Sequence, residues 1–502
     1  MELKVYKDIV SASEVICDTK AEVPIETELL IPDYLPEVFK IVKCFIKLVV
    51  LQKHISQSRF TVEGYMRCLV YYQTQDLQGL CQIEQKIPFK RQTELRDGDY
   101  HSFDALVTGE TEYLNCRAVS SRRLDIRGAY ILSVRVCTES EQEIMTAISE
   151  NGIEQKLLPL TGIKELPSAD KIITAEENIA FETAPEVILD TVCCSVVSEV
   201  KLIQGKAVVK GILNTEISYR SSGENAIIKS VKQIPFNEIL EIENAGENGQ
   251  ALVFVEPTGC TILAGADGGE CSITVTALIT VRVYMPCEYF VVADAFSTQY
   301  DTDIRFKNII INELRDSFNL EISAIATGQL PQENLKIIDV KAEALPIELI
   351  DENGETILRG RAEAHIICQN EQGELESYDK FAEFSLPKKY SENTEKLQAT
   401  CFAQIKSVSA RKVGAQTEVT MIVSVNGIVT KQNSAQVVEF VECLDERDSV
   451  SSDIALHIYY AQENENIFDI AKRYGASPAA IANSNGVEQG TLSSKQQLLI
   501  PS

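Results

Sequence analysis

Hydrophobic and polar residues alternate with a period of two along much of the chain. From Val209 the positions Gly211, Leu213, Thr215, Ile217 and Tyr219 share one face, and Lys210, Ile212, Asn214, Glu216 and Ser218 share the other. One apolar face at this period predicts a half-buried antiparallel strand. Ser221 to Glu224 then predict a hairpin turn, and a return strand closes on Ile234-Pro235-Phe236, where the proline should end it. The unit recurs. Val62, Gly64, Met66, Cys68, Val70 and Tyr72 lead through Gly79 to Ile87-Pro88-Phe89, and Leu358, Gly360, Ala362, Ala364, Ile366 and Cys368 lead through Gly373 to Leu386-Pro387. A spacing near 150 residues is a repeated domain, since it far exceeds a solenoid unit.

The expected organisation is mainly β: three tandem β-sandwich-like repeat domains, at 1–150, 151–298 and 299–447, followed by a small βααβ domain at 457–502. Ala184-Pro185-Glu186-Val187 repeats Leu35-Pro36-Glu37-Val38, and Val281-Arg282-Val283 repeats Val134-Arg135-Val136. In the third copy the Pro-Glu-Val segment is blurred into Leu330 to Glu333, and Asp351 to Glu355 reads as a hairpin. The polar stretch Glu139 to Lys156 leans toward a helical connector, and Glu446 to Asp453 reads as a linker. Gly64, Gly211 and Gly360 fall in mid-strand, where glycine costs stability unless another backbone or side chain approaches closely.

In the last 46 residues the period changes. A short strand, His457 to Ala461, precedes an apolar stripe of Ile467, Phe468, Ile470, Ala471 and Tyr474, which predicts a helix capped by Gly475. Ser477-Pro478 opens a second helix that stops near Gly486, and Gln497 to Ile500 is a final strand.

Composition narrows the function. A net charge of −27 argues against binding nucleic acid or an anionic membrane surface. The run Ile41 to Leu51 is broken by Lys43 and Lys47 and is too short to span a bilayer, and Met1 to Glu14 lacks the pattern of a secretory signal. These features predict a protein kept in a cytoplasm. Fourteen cysteines form no C-x-x-C pair and read as reduced, buried small hydrophobes without native disulfides, and four scattered histidines predict no histidine-rich metal site. Gly265 to Gly269 lacks phosphate-loop spacing. No nucleophile elbow or H-E-x-x-H motif is present, so no catalytic residue, cofactor or metal is assigned.

The tail from Tyr459 to Ala471, with its closing Gln496 to Pro501, resembles a LysM domain. The Pro-x-Val segment, the glycine strand and the Ile-Pro-Phe closure resemble SPOCS domains. Tandem SPOCS units followed by one LysM domain resemble the SipL-like family of spore-coat morphogenetic proteins. The resemblance implies a non-enzymatic assembly role in the mother-cell cytoplasm, at the forespore surface and spore coat. There the LysM domain would dock onto the coat-scaffold ATPase. LysM domains otherwise bind N-acetylglucosamine polymers through a loop near Gly-Asp-Thr, which here reads Asn464-Glu465-Asn466. Asn464, Glu465, Asn466, Asn483 and Asn485 are therefore the expected contact residues, for a protein partner in preference to glycan. The alternatives are a peptidoglycan-binding LysM protein of the cell or spore envelope and a self-polymerising structural β-subunit, since exposed strand edges permit self-association.

Overall fold

The computed structural model describes residues 3–33, 35–74, 79–96, 103–149, 152–221, 227–264, 270–331, 334–447 and 456–501. In the first unit β1 (Lys4–Leu30), β6 (Arg123–Ser149) and β5 (Phe103–Ser120) form one sheet in the order β1-β6-β5, and β2 (Val38–Ser56), β3 (Arg59–Thr74) and β4 (Leu80–Glu94) form another in chain order. The second unit repeats this plan. Its first strand is interrupted at Leu166–Ser168, giving β7 (Ile153–Glu165) and β8 (Ala169–Ala180), both paired to β13 (Glu270–Ser297), whose other neighbour is β12 (Gln250–Ala264). Its other sheet is β9 (Pro185–Ile203), β10 (Lys206–Ser221) and β11 (Ile227–Glu241). In the third unit β14 (Tyr300–Gly328), β20 (Gln416–Glu446) and β19 (Leu397–Val413) form one sheet, and β15 (Lys336–Ala344), β16 (Glu348–Glu352), β17 (Glu355–Gln369) and β18 (Leu375–Tyr390) form the other. All pairings are antiparallel.

Each core joins the two sheets of a unit. Val209, Leu213 and Ile217 of β10 meet Ile273, Val275 and Ile279 of β13, and Ala362, Ala364 and Ile366 of β17 meet Val419, Met421 and Val423 of β20. Gly64, Gly211 and Gly360 lie on the central strands β3, β10 and β17. Each stands directly opposite a phenylalanine: Phe89, Phe236 and Phe384. Tyr72 and Tyr219 are buried, as their place in the alternation requires. The hairpin between β16 and β17 turns on Asn353 and Gly354, both with positive φ.

Four expectations change. The prolines do not end their strands: Pro88 and Pro235 pair with Tyr65 and Ile212 inside β4 and β11. These are edge strands, where a missing N–H on the outer side breaks no ladder. Pro387 is not their equivalent, because Phe384 is the residue opposite Gly360. The stretch 139–156 is strand, not helix: β6 runs to Ser149 and β7 starts at Ile153, since Ile144, Met145 and Ile148 bury against the other units. Strand β20, which the alternation predicts only over Glu418 to Val425, likewise continues to Glu446. The turn at 222–224, the loop at 265–269, residues 332–333 and the linker beyond 447 lie outside the described residues.

The first and last strands of each unit outrun its sandwich. Lys4–Val15 pairs with Cys137–Ser149, Ile153–Glu165 with Tyr284–Ser297, and Tyr300–Leu314 with Thr430–Glu446. A local irregularity marks where each ribbon leaves its sandwich: a register shift between Val15 and Cys17, the break at Leu166–Ser168, and a shift between Leu314 and Asp316. The three ribbons pack into one stalk. Ile144, Val291, Ile309 and Val437 share one buried cluster, and Met145, Ile148, Val292 and Val438 share a second.

The sandwiches also close on one another. Between units one and two, the buried Arg282 guanidinium donates to Asp104 and lies 3.6 Å from Glu165. Between units two and three, Phe254 stacks on Phe402 at 4.5 Å, and Gln404 donates to the Ser195 carbonyl at 2.8 Å. Between units three and one, Gln73 accepts from the Leu375 amide at 2.9 Å, and Lys43 binds Asp379 at 2.8 Å. All three meet at Asp190 of unit two, which accepts from Tyr71 of unit one at 2.9 Å and pairs with Lys341 of unit three. Burial alone would push the Lys341 ammonium down, but Asp190 and Asp339 outweigh it and hold the pKa above the usual lysine range.

Candidate functional site

The tail folds as β21 (Leu456–Ala461), α1 (Ile467–Tyr474), α2 (Pro478–Asn485) and β22 (Gln496–Pro501), with the two strands antiparallel. Local chemistry sets the helix ends. The Asn466 side chain caps α1 by accepting from the Phe468 amide at 2.8 Å, Gly475 and Gly486 end the helices in the left-handed conformation, and Pro478 opens α2. Tyr474, expected in the apolar stripe, stays 37% exposed. Its ring lies 5.8 Å from that of Tyr459 and 5.6 Å from that of His457.

So small a module has a thin core. Ile467, Ile470, Ala471, Ile481, Leu498 and Ile500 form it, and the stalk contributes fully buried Phe296. The Phe296 and Phe468 rings meet edge to face at 5.2 Å. Lys472 pairs with Asp294 at 2.6 Å, and Lys156 with Asp469 at 3.3 Å. The module is thereby docked through one side of α1 onto the ribbon of unit two.

The five expected contact residues fall into two groups. Asn464 and Asn483 are exposed. Asn464 has φ 70°, so it keeps the left-handed turn that a glycine would adopt, a conformation asparagine tolerates. Its amide donates to the Leu492 carbonyl at 2.9 Å, which ties the 464–466 turn to residues 490–492. The other three make bonds inside the module. The Glu465 carboxylate accepts from the Gln462 amide and the Tyr459 hydroxyl, both at 2.8 Å, and these bonds hold its pKa below the usual range. Asn466 is the helix cap. Asn485 donates to the Ile481 and Leu499 carbonyls and accepts from the Leu499 amide, all at 2.7 Å, and so fastens α2 to β22.

The sequence did not single out the outer face of the small sheet. Ile458 is 55% and Tyr460 71% exposed. Alternation along β21 carried the signal, because His457 and Tyr459 face the helices and leave their neighbours outward. On the opposite, helix-facing side Arg473 donates to the Tyr459 hydroxyl at 3.0 Å.

Three like β-units joined by a common stalk, carrying a small βααβ module at its end, make a scaffold with a presented binding module. Comparison with known families agrees. The SipL, SPOCS domain matches residues 37–119 and 185–262, and the LysM domain matches residues 459–501. The chain is thus SipL-like, with SPOCS segments followed by a C-terminal LysM domain. Both SPOCS segments cover the second to fifth strands of a unit, and the long outer strands that build the stalk lie outside them. No curated protein and no solved structure matches the chain. These domains are binding and structural modules, and they mark a sporulation-related chain with a peptidoglycan-binding type of module. Among the described residues no helix is long and apolar enough to cross a membrane.

Proposed function

We propose that this protein is a non-enzymatic spore-coat morphogenesis scaffold. Its LysM domain docks onto the coat-scaffold ATPase at the forespore surface, in the mother-cell cytoplasm, and helps to encase the spore. The domains are taken as 1–150, 151–298, 299–447 and 457–502.

The observation that carries this reading is the docked LysM domain beside SPOCS units. Its α1 side is held against the stalk by Phe296 and Asp294, so what it offers to a partner is the turn with Asn464, the end of α2 with Asn483, and the apolar face of Ile458 and Tyr460. Exposed aromatic and aliphatic side chains rimmed by amides suit a protein surface. Glu465, Asn466 and Asn485 support that surface through their internal bonds. Co-purification from sporulating cells, with and without residues 457–502, tests it. Capture of the ATPase by the full chain only is the expected result, and equal capture by both forms contradicts it.

The LysM match itself favours a second reading, binding of N-acetylglucosamine polymers. Retention of the full chain on peptidoglycan, lost on substitution of Asn464, would support that instead.

A further inference from the structure

Edge strands of the three units are guarded. β4 carries Lys86 and Pro88, β11 carries Lys229 and Pro235, and β18 carries Pro387 and Lys388. Lysine or proline on an edge discourages another chain from extending the ladder. The outer edge of β22 is closed as well. The Leu499 amide and carbonyl both bond the Asn485 side chain at 2.7 Å, and Pro501 has no N–H to offer.

β21 has no such guard. Its sequence, Leu-His-Ile-Tyr-Tyr-Ala, holds no lysine, arginine, carboxylate or proline. In an antiparallel pair, two opposed residues either both turn their backbone groups inward or both turn them outward. Ile458 stands opposite Leu499, and Tyr460 opposite Gln497. Since Leu499 bonds Asn485 on the outside, the N–H and C=O of Ile458 and Tyr460 also point outward. Among the described residues no hydrogen bond reaches them. The stalk does not cover this edge. It meets α1 through Phe468, Asp469 and Lys472, whereas β21 meets α1 through Tyr474, on another side of the helix.

The sheet face beside the open edge is uncharged, formed by Ile458, Tyr460, Gln497 and Leu499. In a chain of net charge −27, two copies approach with least repulsion at such a place. The strand also complements itself. In the two-fold antiparallel register centred on Tyr459, Ile458 of each copy lies opposite Tyr460 of the other. That is a favourable aromatic and β-branched pair, and it satisfies the outward N–H and C=O groups of both residues.

We propose that β21 pairs edge to edge with β21 of a second copy, joining two LysM modules in one four-stranded sheet of order β22-β21-β21-β22. The contact is isologous. A single strand pairing lies at the low end of interface sizes, so a dissociation constant of about 1–100 µM is expected. The pairing is independent of the ATPase docking, and it sets two apolar faces side by side.

The test is sedimentation equilibrium of the full chain from about 1 to 500 µM, in about 0.15 M salt to screen the net charge, with hydrogen exchange at both ends of the range. A monomer–dimer equilibrium is expected, with slower exchange of the Ile458 and Tyr460 amides at the high end. Ile458→Pro removes one outward N–H and leaves the β21–β22 ladder its bonds. Tyr460→Lys changes one exposed side chain and places a charge beside the pairing edge. Each should weaken dimerisation about tenfold or more, with exchange at 467–474 unchanged as proof that the module is folded. A monomer throughout the range, or a dimer that either folded variant leaves intact, overturns the proposal.

Discussion

Gly211 stands opposite Phe236, and the phenylalanine ring covers it so closely that a Cβ on residue 211 would lie 2.5 Å from the ring. The Val196 carbonyl closes the other side at 2.5 Å. Gly360 is covered by Phe384 in the same way. Gly211→Ala is therefore expected to cost about 1–3 kcal/mol through overpacking, in spite of alanine's lower entropy loss. Urea unfolding reads this as a lower midpoint with an unchanged slope. An unchanged or raised midpoint would show that the ring moves aside freely.

Phe296 lies in the stalk yet is buried in the LysM core. Phe296→Ala should cost about 3–5 kcal/mol of local stability and release the domain. Hydrogen exchange should then speed up at amides of 467–474 while those of β10 stay protected. Asp294→Asn, which removes a partly exposed ion pair, should change exchange by less than about 1 kcal/mol.

Asp104 and Arg282 form a buried pair across units one and two. Asp104→Ala would leave the guanidinium with Glu165, at 3.6 Å, as its remaining ion-pair partner among the described residues. The expected loss is about 3–5 kcal/mol, read by calorimetry as a lower melting temperature of the whole three-unit body. Separate melting of unit one alone would contradict a closed arrangement.

Glu256 supplies a pH test. Burial raises its pKa to about 6, with Lys47 and Arg67 opposing, against 4.5 for the ordinary group. The folded chain thus binds an extra proton between those values, so this group's contribution to stability rises as pH falls from 6 to 4.5 and is least favourable above pH 6. The penalty above pH 6 is about 1–2 kcal/mol. Glu256→Gln should recover it at pH 7.5 and gain nothing at pH 4.5, as measured by denaturant midpoints at the two values.

The sandwich strands were legible because one face of each is fully buried and the other is polar and only half-buried, as Leu213 and Ile217 alternate with Asn214 and Glu216. The stalk was not. Val291 and Val292 are adjacent and both fully buried, one in each of the two shared clusters, so alternation is lost where both sides of a ribbon meet other units. The Pro88 and Pro235 stops misled because strand order, which makes their strands edges, is not written locally. In the candidate site, Asn466 could be read as a cap from its place before Ile467. Two of the three bonds of Asn485 depend on β22, fourteen residues away at Leu499, and could not.

The most direct measurement is calorimetric binding of the purified full chain to the purified coat-scaffold ATPase and, separately, to chitin oligomers, each with the parent and with Tyr460→Ser/Asn464→Ala. One-to-one binding of the ATPase, weakened by the exposed-surface substitutions, and no heat with the oligomers are expected. Binding of chitin oligomers with no binding of the ATPase would contradict the proposed docking.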